Sequence, residues 1–286
     1  MSGTEQRSTR ANESEKKGRG RFFQVRVAIL LSILFVVVLY AARDLRGRRE
    51  RKDWNRTLDV AIVLLHVEGA PPVDPSAVQD VVDRAPALAE RLHAEAERWR
   101  PGMSAPFRFR VFGPVDVASG PPKTDASGAI DLASHAIELR RWLSDVDPRA
   151  GVEPEHWDSR IYVDARRPAS TMRTVVEGQS QLDGRIGVVS VELDASMVDL
   201  MLFVVTHELM HTLGALDKYD AAGRTRIPDG LVEPTLSPLY PQRLAEIMAR
   251  NRVVSPSREV VPTTLDELGV GRATAVEIGW IAAATP

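Results

Sequence analysis

Hydrophobic and polar positions divide the chain into stretches of unlike character. Residues 1–26 are polar, with a Phe22–Phe23 pair near their end, and cannot bury enough apolar surface to fold alone, which predicts a disordered tail. Residues 27–42, VAILLSILFVVVLYAA, carry one serine and no charge. This run predicts a single transmembrane helix. A straight span takes about 20 residues, with a lower limit near 17, and Phe22, Phe23 and Val25 extend the run if Arg26 snorkels to the headgroups. A cleaved signal peptide is the competing reading, but Leu39 and Tyr40 precede Ala41 and Ala42 where small residues are needed. A buried core helix is a third, disfavoured by the Arg and Lys on both flanks. A charged stalk follows at 43–56.

From residue 57 onward the pattern is that of one folded domain, 57–286. TLDVAIVLLHV is near-continuous in aliphatics, as a buried strand of a mostly parallel sheet should be. Residues 75–99 predict a helix interrupted or kinked at Pro86. FRFRVFGPVDV alternates like a strand, GPPKTDASG is a loop, 129–144 a second helix, and RIYVDA another strand. GRIGVVSVEL follows a QLDG turn signal and predicts a further strand. A strongly apolar helix then covers about 196–213. Tyr219 to Pro241 is rich in Pro and Gly and reads as an ordered loop, and ATAVEIGW predicts a last short helix.

Composition bounds the function. With 286 residues, 44% hydrophobic and 27% charged, the chain can bury one sizeable core. A net charge of −2, without a basic stripe interleaved with aromatics, gives no reason to expect a nucleic-acid partner. The absence of cysteine excludes disulfides and thiolate metal ligands, and leaves the compartment open.

The chemistry lies in residues 207–217, HELMHTLGALD. His207 and His211 are spaced i, i+4, so on a helix both imidazoles face one point, where a Zn²⁺ ion accepts them. Glu208 is placed to take a proton from a metal-bound water. Gly214 is a natural helix stop. A chain that reverses there brings Asp217 back as a third ligand. Two His, one carboxylate and an open position describe a catalytic zinc site with a single ion. The alternative, an amphipathic helix with two surface histidines, fits poorly with the apolar VDLMLFVVT before it, because burying these groups unpartnered would cost several kcal/mol.

HExxH followed by xxGxx and a third ligand resembles the metzincin clan of zinc peptidases. Most members carry His at the third position. Asp217, followed by Lys218 and Tyr219, is instead similar to the snapalysin-like subgroup, HExxHxxGxxD-x-Tyr, over about a dozen residues. The resemblance implies His207, His211 and Asp217 as ligands and Glu208 as general base, then acid. It implies an α/β zincin fold: a mixed twisted sheet with an antiparallel edge strand, a helix carrying HExxH, and a mostly irregular C-terminal subdomain with a final helix. GRIGVVSVEL is the expected edge strand, along which an extended peptide or protein substrate would pair.

Metzincins also place a methionine in a turn beneath the metal, and Met248 is the candidate. Leu244, Ile247 and Met248 equally have the spacing of a helix packed in the core. Tyr219 is a candidate donor to the oxyanion or a packing tyrosine, and Tyr240 a weaker one. His66, His93, His135 and His156 read as structural or surface residues, and Asp220 and Asp229 as solvated turn carboxylates rather than calcium ligands.

The expectation is a membrane-anchored zinc endopeptidase. Its alternative is a non-catalytic zinc-containing binding or scaffold domain, against which Glu208 argues. Counting the basic residues close to the span, five among residues 16–26 and seven among residues 43–56, tips the body toward the cytoplasm. Secreted relatives and the short tail tip it outward, and an extracytoplasmic body is the expectation adopted.

Overall fold

The computed structural model describes residues 5–122, 128–169, 176–180 and 184–282. Two compact units make up the chain, Met1–Glu50 and Arg51–Pro286. Most of the GPPKTDASG loop (123–127) and of the QLDG turn (181–183) lies outside the described residues.

The described residues of the first unit lie within helix α1 (Glu5–Lys52), whose segment Arg26–Lys52 is long and apolar enough to cross a membrane. A signal sequence near an N-terminus shares that property. The helix also takes in the polar residues from Glu5, where composition suggested a tail. Glu, Gln, Lys and Arg are good helix formers, and propagation from an apolar run is cheaper than nucleation.

The second unit begins inside the expected stalk. Arg51 is buried, and its Nη1 donates to the carbonyl of Thr212 at 3.0 Å. Trp54 is buried in the core, its indole N–H donating to Ile278 O at 2.9 Å.

Five strands form the main sheet: β1 (Leu58–Val67), β2 (Phe107–Val117), β3 (Ser159–Arg166), β4 (Val176–Ser180) and β5 (Ile186–Glu192). Their order is β2-β1-β3-β5-β4, with β4 antiparallel to β5 and all other pairs parallel. β1 is buried on both faces, which explains its unbroken aliphatic run. Leu58, Val60, Ile62 and Leu64 enter the larger core with α2 (Pro75–Trp99) and α4 (Val198–Thr212). Ala61, Val63 and Leu65 enter a smaller one with Val146 and partly buried Trp142 and Leu143 of α3 (Ala129–Ala150). The sheet is therefore the middle of three layers.

Two expectations are corrected. α2 runs unbroken through Pro86, starting from an Asp74 cap that accepts from Ser76 N at 2.9 Å. The second concerns the edge. GRIGVVSVEL forms β5, an inner strand parallel to β3, and the antiparallel edge is β4, VEGQS. The reason is burial: β5 is covered on both faces at Val188 to Glu192, save the half-covered Val188, as an inner strand must be. β4 pairs in register Gly178↔Val189 and leaves its other side open.

Beyond α4 the chain is mostly irregular. It holds two small sheets, β6 (Ala245–Glu246) with β9 (Leu268–Gly269) and β7 (Arg252–Ser255) with β8 (Arg258–Val260), before the final helix α5 (Arg272–Glu277).

Candidate metal centre

Helix α4, which carries HExxH, is held at both ends. Asp199 in its first turn accepts a bidentate pair from Arg84 of α2, at 2.7 and 2.8 Å, and Leu265 N at 3.0 Å. At the other end Arg51 meets the Thr212 carbonyl, a cation where the helix dipole is negative. Gly214 then adopts φ +86°, the left-handed region that favours glycine, while Gly214 N and Ala215 N donate to His211 O and Met210 O. The chain reverses there, as the motif requires.

Backbone carbonyls set the tautomer of both imidazoles, the one at the reversal for His211 and a more distant one for His207. His211 Nδ1 lies 2.8 Å from Ala215 O, and His207 Nδ1 lies 2.8 Å from Ile247 O. A carbonyl only accepts, so each Nδ1 carries the proton and each neutral ring turns an Nε2 lone pair the other way. Both Nε2 atoms face the same Asp217 Oδ1, at 3.3 Å from His207 and 3.2 Å from His211. The rings stand nearly perpendicular, their centres 4.7 Å apart. Asp217 Oδ1 is itself buried and has no hydrogen-bond donor. Three lone-pair atoms thus surround a point without a donor among them. Tetrahedral Zn²⁺ with bonds near 2.0–2.2 Å spaces its ligand atoms about 3.3–3.5 Å apart, so the residues fit the ion.

Protonation behaviour points the same way. Burial pulls the His211 pKa down, but Asp217, Glu208 and the Ala215 carbonyl outweigh it and the pKa is raised. Burial opposes ionisation of Asp217, yet the two imidazoles hold its carboxyl well below the ordinary carboxylate range. The centre is built to hold positive charge, as a proton on His211 or as a cation between the ligand atoms.

Glu208 is buried, and Ser180 of the edge strand donates to its Oε2 at 2.6 Å. Ligand atoms of His207, Glu208 and His211 all lie within 4.8 Å of one another. β4 passes so close that a Cβ built on Gly178 would stand 2.0 Å from Glu208 Oε1. Ser180 and Gly178 escaped the sequence reading, because VEGQS carries neither alternation nor a motif.

The backbone on either side of Asp217 is anchored to α5. Glu277 Oε2 accepts Leu216 N at 2.9 Å, and its two oxygens lie 2.7 and 2.6 Å from Nζ of Lys218. Lys218 is buried, and its own N–H donates to Met248 O at 2.8 Å. Met248 is fully buried in the turn closed by Ala249 N to Glu246 O, one residue past the carbonyl that holds His207. It is not part of a helix. Glu246, whose pKa burial raises, accepts Met248 N at 2.6 Å, Thr274 Oγ1 at 2.6 Å and Gly271 N at 3.1 Å. The turn is thereby tied to α5 as well.

Tyr219 stacks beside His207, centres 6.4 Å apart and planes 22° apart. Burial, with the Asp217 carboxylate and a hydrogen bond to it, pushes the phenol up to about 12, so it remains a donor near neutral pH. Among the described residues no hydrogen bond or ring contact joins Tyr240 to this group. His66 is satisfied by Asp116 and Ala70 O, His93 by Met103 O, and His156 pairs with Glu153. Asp220 closes a turn onto Ala222 N and Arg224.

No protein-family profile matches the chain, and no curated protein matches it. Among solved structures, similarity is found to an archaemetzincin from Methanopyrus kandleri, 16% identical, over 77% of this chain and 93% of that one, at a TM-score of 0.35. A zinc-dependent peptidase from Methanocorpusculum labreanum is 13% identical over 76% of this chain and 99% of that one, at a TM-score of 0.33. The site's own geometry, and not so distant a likeness, carries the functional reading.

Proposed function

We propose that this chain is a zinc-dependent endopeptidase of metzincin type, nearest in its motif to the snapalysin-like subgroup and tethered through α1 with its body outside the cytoplasm. The observation that carries the reading is the buried, donor-less Asp217 Oδ1 set 3.2–3.3 Å from two Nε2 atoms whose tautomers leave lone pairs toward it. His207, His211 and Asp217 would hold the ion. When bound, zinc supplies Lewis acidity, polarising a carbonyl and acidifying water.

The chain's own groups do the rest. Glu208, oriented by Ser180, takes a proton from the attacking water and returns it to the leaving amine. Tyr219 keeps its proton and can donate to negative charge that develops beside Asp217. β4 offers an open antiparallel edge next to Glu208, along which an extended peptide can pair. Met248 and the turn around it support His207 from below.

The test is Glu208→Gln in the full-length chain. Zinc content should persist while cleavage of a broad peptide library falls about 10²–10⁴-fold. Wild-type protein that binds zinc but cuts no peptide would favour the non-catalytic binding domain instead.

A further inference from the structure

Arg250 breaks a backbone rule at the edge of the metal centre. Its φ is +67°, in the left-handed region where a residue with a Cβ is uncommon and Gly or Asn is the cheap choice. It is exposed, and it follows two residues after Met248. Its guanidinium lies over the Tyr219 ring, 5.3 Å from the centre, on the tyrosine that stacks beside His207.

A second arginine, Arg226, is also exposed and donates to the backbone carbonyl of Asp217. Arg224, Arg243 and Arg252 of the same loops are each paired, with Asp220, Glu233 and Glu267. Arg226 and Arg250 meet no carboxylate among the described residues. Two planar cations are thus held against Asp217 and Tyr219 without an ion-pair partner among the described residues. A guanidinium recognises a carboxylate in a bidentate manner, which Lys or a neutral residue cannot reproduce. A strained backbone at such a place is a ground for inferring function.

We propose that Arg250, with Arg226 on the backbone of Asp217, reads a carboxylate on the peptide near the scissile bond, so that acidic peptides are the substrate class. The inference rests on the peptidase reading and deepens it. The carboxylate can come from a Glu or Asp side chain or from a free C-terminus, and the two sources are separable.

The experiment uses the full-length, zinc-loaded chain and matched quenched peptides. One position at a time on each side of the cut carries Glu, Gln or Lys, and every peptide is made with a free and an amidated C-terminus. Wild type should cleave the preferred acidic form about tenfold faster in kcat/KM than its neutral match, with the difference mainly in KM. A Glu-over-Gln preference assigns the side chain, and a free-over-amide preference assigns the terminus. Arg250→Asn tolerates the left-handed backbone while removing the charge, and should bring that ratio to about one. Arg250→Lys should restore part of it.

Equal rates for acidic and neutral peptides in wild type, or a ratio unchanged in Arg250→Asn, would overturn the proposal. Fluorescence anisotropy of the same peptides on the Glu208→Gln chain separates the two readings. Acidic-peptide binding that depends on Arg250 without any turnover by wild type would refute the peptidase and keep the carboxylate reader. Failure of acidic peptides to bind better than neutral ones would refute the reader alone.

Discussion

Replacing Gly178 by alanine tests whether the edge strand and Glu208, the proposed general base, are fitted to each other. The added Cβ would lie 2.0 Å from Glu208 Oε1, 2.6 Å from Cδ and 2.9 Å from Cγ. Carbon meets its neighbours comfortably at about 3.5–4.0 Å, so one partner must retreat by more than about 1 Å. Glu208 has little room to do so, because it is 3% exposed and its Oε2 is held by Ser180 at 2.6 Å. If β4 moves instead, Ser180 moves with it and the same carboxylate loses its orientation.

A misplacement of about 1 Å at a catalytic group costs on the order of 10²-fold in rate, or roughly 2.7 kcal/mol of transition-state stabilisation. Zinc binding should survive, since the three atoms nearest the new methyl all belong to Glu208 and none to His207, His211 or Asp217. The fold should survive as well, because Gly178 lies in an exposed edge strand and its φ is not positive. The assay is kcat/KM on a peptide substrate with zinc stoichiometry and melting temperature measured on the same sample. Ser180→Ala, which removes the hydrogen bond without crowding the carboxylate, should fall by only about tenfold. A Gly178→Ala enzyme within threefold of wild type would refute the reasoning, since Glu208 could then not be the positioned base.

Two further outcomes follow from the supports of the site. Glu277→Gln loosens the anchor that holds Leu216 N and Lys218 on either side of Asp217, and should weaken zinc affinity about 10–100-fold in a chelator competition; unchanged affinity would make the anchor irrelevant to the ligand. The Arg84–Asp199 pair should be worth about 1.5–3 kcal/mol to the fold near neutral pH. Arg84 first, against burial and with Leu265 N helping, lowers the Asp199 pKa. Its contribution is therefore present above the unfolded value near 3.9 and lost as pH falls through the lower folded value. Urea midpoints should accordingly show Asp199→Asn less stable than wild type from pH 7 down to about 4, with the gap closing below that. A gap that widens in acid would give the wrong sign.

The sequence disclosed the centre of the site and little of its frame. HExxH, Gly214 and Asp217 lie within one turn and one reversal, so local rules suffice to bring them together. β1, β2 and β3 were legible because their burial leaves a pattern of aliphatics or alternation. β4 was not. VEGQS owes its strand to pairing with β5, a long-range fact, and its glycine is there for Glu208 rather than for the strand. β5 carries the clue to its own place, since GVVSV, buried at all but Val188, belongs inside a sheet rather than at the edge the resemblance implies. Trp54, the one aromatic residue of the 43–56 stretch, is the sign in the sequence that the stalk ends by packing into the core. The Lys218–Glu277 contact spans the whole C-terminal region, and no periodicity links its ends.

The central claim is that one cation sits between His207, His211 and Asp217. An anomalous difference map at the zinc edge from crystals of the zinc-loaded chain tests it most directly. The account predicts one peak, about 2.0–2.2 Å from His207 Nε2, His211 Nε2 and Asp217 Oδ1. A map without a peak there, or a zinc ion bound with the Asp217 carboxylate turned away, would contradict it.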